Sequence, residues 1–200
     1  MTPRASQLRT IDGDVLPMRL DRWLGGPSPE EEAVLDLALA PVLDVGCGPG
    51  RHLRALGERG LPALGVDPAP HAADLARRAG AAVLERSIFD RIPGAGRWGS
   101  ALLFDGSIGI GGQPVVLLRR IAALLRPGGR VLAELDGPGV PTRSVVVRLE
   151  ADGEAGSWFP WAVVGVDEAA ALASAAGLAL RGMWKGGQRW FARIDRIDTA

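Results

Sequence analysis

A chain of 200 residues with 47% hydrophobic content has the size of one domain; a domain takes about 100–200 residues and buries roughly 70% of the surface its unfolded chain exposes, so no metal or disulfide staple is needed. Its 23 basic and 23 acidic residues cancel, Lys185 is the one lysine among the arginines, and no run forms a basic arm, so a nucleic-acid partner is not expected. The single cysteine, Cys47, excludes an internal disulfide and makes the cytoplasm the expected location, while the most apolar run, 33–45, is broken by Asp36, Pro41 and Asp44 and is too short to span a membrane.

Residues 1–27 read as an irregular segment with a turn at Asp12-Gly13, followed by one domain over 28–200. Ser28-Pro29-Glu30-Glu31 is a helix start: Ser28 caps, Pro29 suits the first helical position and Glu31 completes a capping box. That helix is expected to run to about residue 40, where Pro41 stops it. A short apolar strand over 42–45 leads into a glycine loop. Helix 51–59, strand 61–66, helix 71–79, strand 81–88, strand 99–104, helix 114–125 and strand 130–135 follow. Strands alternating with helices imply crossover connections, a parallel sheet and a doubly wound α/β fold. Beyond residue 140 the pattern changes. Segments 144–149 and 159–164 read as paired strands inserted after the fifth strand, 167–176 as an alanine-rich helix, and 178–184 with 189–194 as a terminal hairpin around Lys185-Gly186-Gly187-Gln188.

The informative motif is Asp44-Val45-Gly46-Cys47-Gly48-Pro49-Gly50 between a strand and a helix, the context in which a glycine motif carries meaning. A dinucleotide fingerprint reads G-x-G-x-x-G and sets a pyrophosphate on the helix N-terminus. Here the spacing is G-x-G-x-G, and Asp44 would repel a pyrophosphate while favouring a cationic ligand. Asp67, seventeen residues after Gly50 and followed by Pro68, stands near the roughly 20-residue spacing of a ribose-binding acid.

In this form the loop resembles motif I of class I (Rossmann-like) S-adenosylmethionine-dependent methyltransferases. Asp67 matches that family's acidic residue after the second strand, Ser87-Ile88-Phe89-Asp90 sits where the family places its adenine-contacting loop, and 124–131 is similar to its stretch before strand five. The resemblance covers about residues 30–195 and implies a mostly parallel seven-stranded sheet of order 3-2-1-4-5-7-6 with helices on both faces. It also implies S-adenosyl-L-methionine as cofactor, held by Asp44, Gly46, Cys47, Gly48, Gly50, Asp67, Pro68, Ser87, Ile88, Phe89, Asp105 and Gly106. One departure is Ser87, where the family often has an acid; Ser87 or Asp90 is left to reach the adenine. The expected activity is methyl transfer to a small molecule by a monomer or homodimer. Rival readings are a non-catalytic partner subunit that still binds the cofactor, a nicotinamide-dependent oxidoreductase and an aminopropyl transferase.

Asp105, after the fourth strand, is the catalytic candidate: it is placed to touch the methionine end of the cofactor, to take a proton from the acceptor, or to cap the Gly106 turn. Cys47 lacks a partner base and reads as a small loop residue. His52 reads as solvent-facing or capping in preference to a catalytic base, and His71 as a surface residue. No cluster has metal-ligand spacing. Trp158, Phe159 and Trp161 line an acceptor pocket or anchor a core, and Trp184 with Trp190 reads as a cross-strand pair.

Overall fold

The structure, a computed structural model, describes residues 7–17, 23–151 and 153–197. Its twelve strands are β1 (Gln7–Thr10), β2 (Val15–Pro17), β3 (Val42–Val45), β4 (Ala63–Asp67), β5 (Val83–Glu85), β6 (Trp98–Leu103), β7 (Leu125–Leu135), β8 (Arg143–Ala151), β9 (Glu154–Ala155), β10 (Phe159–Val163), β11 (Leu178–Gly186) and β12 (Arg189–Arg196). The α-helices bounded within the described residues are α1 (Pro29–Leu35), α2 (Arg51–Glu58), α3 (Pro70–Arg78), α4 (Pro114–Leu124) and α5 (Ala169–Ala175). Among the described residues no helix is long and apolar enough to cross a membrane.

Seven strands form the central sheet in the order β11-β12-β7-β6-β3-β4-β5. Five are parallel, and β12 runs antiparallel to both β7 and β11. Counted along this sheet alone, that is 3-2-1-4-5-7-6. Strands β3 and β6 lie at its centre and are buried at every residue. Alternation along them sorts the core into two layers. Val42, Leu102, Leu132 and Phe191 face Val34 and Leu35 of α1 and Ala55 and Leu56 of α2. Leu43, Val45, Ala101, Leu103 and Ala133 face Leu117, Leu118 and Ile121 of α4 and Ala169 and Ala173 of α5. Each fully buried leucine contributes about 1.5–3 kcal/mol.

The capping box forms as expected: the Ser28 amide donates to Glu31 Oε2 at 2.7 Å and the Glu31 amide to Ser28 Oγ at 3.4 Å. Helix α1 nevertheless stops at Leu35, well before Pro41. Tertiary contacts take the chain away: the Leu39 amide donates to Ser100 Oγ of β6 at 2.7 Å, and Arg130 Nη1 donates to the Leu37 carbonyl at 2.9 Å. A Cβ on Gly99 would stand 2.4 Å from the Leu39 carbonyl oxygen, so this crossing needs a glycine.

A second sheet, order β10-β8-β1-β2 with β9 on β8, corrects the reading of residues 1–27 as irregular. The Asp12-Gly13 turn joins β1 to β2, and β1 then pairs along β8, Leu8 opposite Leu149 and Thr10 opposite Val147. Four-residue strands carry little periodicity of their own; the partner 140 residues away makes the strand. Residues 1–6 and 18–22 of that segment lie outside the described residues.

The terminal hairpin is also tighter than expected. Gly186 pairs with Arg189, leaving a two-residue loop, Gly187-Gln188, with Gly187 at φ 59°. Extending β11 to Gly186 sets Trp184 opposite Phe191 and Lys185 opposite Trp190. The two tryptophans therefore occupy opposite faces; Trp184 stacks on Phe191 at 6.3 Å and does not pair with Trp190.

Candidate functional site

The sheet changes direction between β3 and β6, and their carboxyl ends open the crevice where open α/β sheets bind ligands. The glycine loop leaves β3 there. Gly46, Gly48 and Gly50 all have positive φ, 68°, 52° and 83°, which a side chain would strain. A Cβ on Gly50 would lie 3.0 Å from Ala76 Cβ of α3, and one on Gly46 3.0 Å from Ile110 Cδ1. The loop thus has α3 behind it and the segment after β6 above it, and the Trp23 ring stands 4.0 Å from the Cβ position of Gly48.

Asp67 ends β4 beside this loop. Its Oδ2 accepts from the Gly48 amide at 2.9 Å and its Oδ1 from the Ala69 amide at 2.8 Å. The acid therefore braces the loop and starts the turn through the exposed Pro68, while each oxygen keeps a second lone pair for a ligand. Burial pushes its carboxyl above the usual range, against those two amide bonds.

Asp44 is 2% exposed, and its Oδ2 has no hydrogen-bond partner among the described residues. Burial raises its carboxyl to about 6, opposed by His52 and Arg51 and reinforced by Asp105 and Asp67. Cys47 turns its side chain inward: a Cβ on Gly65 would come within 2.5 Å of its Sγ. Burial, helped by the Asp44 and Asp67 carboxylates, pushes the thiol up, which removes it as a nucleophile and leaves its backbone at the loop.

Sequence spacing missed the ionic cluster at this edge. Arg51, the first residue of α2, donates from Nη1 and Nη2 to the two Glu31 oxygens at 2.5 Å each, and from Nη2 to Asp105 Oδ2 at 2.6 Å. Arg189 of β12 donates from Nε to Glu134 Oε1 at 2.6 Å, also pairs through Nη2 with Glu134 Oε2, and reaches Glu31 Oε1 at 2.7 Å. Burial works to neutralise Glu31, but His52, Arg51, Arg189 and the Ser28 amide outweigh it and hold the acid well below its ordinary range. His52 is buried, not solvent-facing or capping: it stands edge-on to Phe104 at 4.9 Å, with Nε2 3.6 Å from Glu31 and Nδ1 3.8 Å from Asp44. One signal was available, since a capping-box Glu31 and an Arg51 opening the next helix both project toward the tip of β3. The sheet-face alternation that adds Glu134 and Arg189 needed the register.

Glu31, His52 and Asp105 also bring ligand-type atoms within 4.8 Å of one another, although no such cluster is visible in the sequence. Arg51 already binds both Glu31 oxygens and Asp105, so guanidinium groups supply the positive charge that a metal would bring.

Asp105 has φ 52°, and Gly106 follows at 79°. The Asp105 amide donates to Glu134 Oε2 at 2.8 Å. Beyond them, Ser107 is 4% exposed with its Oγ unpartnered among the described residues. Of the aromatic group, Phe159 and Trp161 meet edge-to-face at 6.0 Å, and the Trp161 ring lies 3.7 Å from the Cβ position of Gly106. Trp158 points elsewhere, under the Arg148 guanidinium at 4.8 Å. Ser87 and Asp90 bind each other's turn: the Ser87 amide donates to Asp90 Oδ2 at 3.0 Å and the Phe89 amide to Ser87 Oγ at 3.2 Å. Ile88 is in the core, whereas Phe89 is exposed and leans on Gly111. His71 is exposed.

Residues 26–164 match a family described as methyltransferase domain. No curated protein sequence matches the chain. Among solved structures, it is similar to an S-adenosylmethionine-dependent methyltransferase from Bacteroides fragilis in complex with S-adenosyl-L-homocysteine, with 21% identity and TM-score 0.79 over 98% of this chain and 89% of that one. It is also similar to 1,6-didemethyltoxoflavin-N1-methyltransferase from Burkholderia thailandensis (23%, TM-score 0.65, 85% and 78%). A sugar N-methyltransferase from Streptoalloteichus gives 19%, TM-score 0.67, and 93% and 96% coverage. At these identities the likeness is one of fold.

Proposed function

Because the chain belongs to the methyltransferase-domain family, we propose that it is an S-adenosylmethionine-dependent enzyme that methylates a small molecule at the carboxyl edge of its central sheet. The observation that carries this reading is the left-handed glycine loop braced by Asp67 over a buried Asp44 whose Oδ2 has no partner among the described residues. The donor set suits a cationic, phosphate-free nucleoside. Two arginines near the loop, Arg51 and Arg189, are engaged by Glu31, Asp105 and Glu134 and are not offered to a pyrophosphate.

In this reading Asp67 holds the ribose hydroxyls through its remaining lone pairs, and Gly46, Cys47, Gly48 and Gly50 offer backbone to the ligand. Ser87, Ile88 and Phe89 border the adenine side beyond Pro68. Asp44, Asp105 and Gly106 border the methionine side. When bound, S-adenosylmethionine supplies a methyl group activated by its sulfonium. The chain's work is then to align the acceptor and exclude water. Trp161, against Gly106, with Phe159 edge-on behind it, forms the apolar wall against which an acceptor sits. Asp105 is the acid available to orient an acceptor N–H or O–H. Likeness to a 1,6-didemethyltoxoflavin-N1-methyltransferase and a sugar N-methyltransferase supports a small-molecule acceptor. The single cysteine fits a reducing compartment, and the cytoplasm is the location that goes with this reading.

Calorimetric titration with S-adenosylmethionine, S-adenosylhomocysteine and NAD tests it. The first two bind and NAD does not; binding of NAD alone overturns the reading. Asp67→Ala weakens S-adenosylhomocysteine at least tenfold, and unchanged affinity refutes the ribose role.

A further inference from the structure

We propose that Arg189 and Glu134 are positioning residues that hold Asp105 in its left-handed conformation, so that the last strand of the fold completes the cofactor site. The inference rests on reading that edge as the S-adenosylmethionine site.

Asp105 is the one non-glycine residue with positive φ among those described. Such a backbone persists when its surroundings over-determine it. Here they act from three sides. Glu134 Oε2 accepts the Asp105 amide at 2.8 Å, Arg51 donates to Oδ2 at 2.6 Å, and Arg189 Nη2 stands 3.5 Å from Oδ1. Glu134 cannot turn away, because Arg189 binds both of its oxygens. The planar guanidinium fork suits this task, since it fixes a carboxylate in two directions at once.

The consequence reaches the glycine loop. Asp105 and Gly106, left-handed in succession, reverse the chain and bring the following segment back over Gly46. Ser107 Cβ lies 3.4 Å and Ile110 Cδ1 3.0 Å from the Cβ position of Gly46. Relaxation of residue 105 would shift both of these neighbours and the unpartnered Ser107 hydroxyl with them.

Arg189 comes from outside the matched family region of residues 26–164. The hairpin fixes its place: Arg189 follows the two-residue loop directly, and a Cβ on Gly187 would stand 3.0 Å from Glu30 Oε1 of α1. The hairpin tip therefore docks on the helix that supplies Ser28 and Glu31, and Arg189 crosses from there to Glu134 and Asp105.

The test is S-adenosylhomocysteine titration of the full chain in a double-mutant cycle, with circular dichroism to establish that each variant is folded at the assay temperature. Arg189→Lys keeps the charge but loses the fork, and affinity falls at least tenfold. Glycine adopts φ 52° without being held, so in an Asp105→Gly background Arg189→Lys changes affinity less than twofold. If Arg189→Lys does not fold, Glu134→Ala is read in the same cycle, with the same expectation; Glu134→Gln, which keeps a carbonyl oxygen for the Asp105 amide, restores part of the affinity. Single variants that bind within twofold of wild type overturn the proposal, as does an equal loss with and without Asp105→Gly. Failure of wild type to bind S-adenosylhomocysteine instead overturns the reading of the site itself.

Discussion

At the residue scale, Asp44 is a carboxyl whose charge is opposed by burial. Its place on β3 puts it under the loop, where burial holds its carboxyl at about 6 against an ordinary 3.8. A raised native value means that the folded state keeps a proton the unfolded chain releases. Its stabilising contribution is complete below the unfolded value and is lost as pH rises through the folded one. The stability of wild type minus that of Asp44→Asn therefore falls by on the order of 3 kcal/mol between about pH 4 and about pH 7; a flat difference in urea melts across that window refutes the assignment. Gly65 presents the opposite situation, a position governed by space alone. A methyl there meets Cys47 Sγ at 2.5 Å and Leu53 Cδ1 at 2.6 Å. Gly65→Ala destabilises by about 1–3 kcal/mol through overpacking, and adding Cys47→Ala recovers part of that loss in denaturant midpoints.

Among the elements, α1 has the clearest local signature. Its capping box is legible in Ser28-x-x-Glu31, yet Glu31 is also the centre of the ionic cluster, with Arg51, Arg189 and His52 around it. Ser28→Ala removes one half of the box and costs about 1 kcal/mol in chemical unfolding, because Arg51 still anchors Glu31. The terminal hairpin was legible in type and missed in register. The chain turns through Gly187-Gln188, and a one-residue change of pairing would bring Trp184 and Trp190 to the same face. Helix α1 ends short of Pro41 for a comparable reason: Leu37 to Leu39 are drawn onto Ser100 and Arg130, partners that no window of local sequence contains.

For the whole molecule, the two sheets are built unequally. Strands β3 and β6 have a strand on each side and lie between the two helix layers, whereas β2 is a three-residue edge and β9 pairs through two residues. Native-state hydrogen exchange is expected to find the slowest amides in β3 and β6 and the fastest strand amides in β2 and β9; equal protection in both sheets contradicts this order. The sequence by itself determined the alternation of strands and helices, the glycine loop, Asp67 seventeen residues on and the α/β class, because each depends on neighbours close in the chain: hydrophobic period, caps and positive φ. Only the tertiary structure decided that residues 7–17 become strands, that His52 is buried, and that Glu31, Arg51, Glu134 and Arg189 converge on Asp105. Those outcomes depend on pairing register and on the sheet face to which each side chain turns, and both are set by contacts between different elements of the fold, not by neighbours within one element.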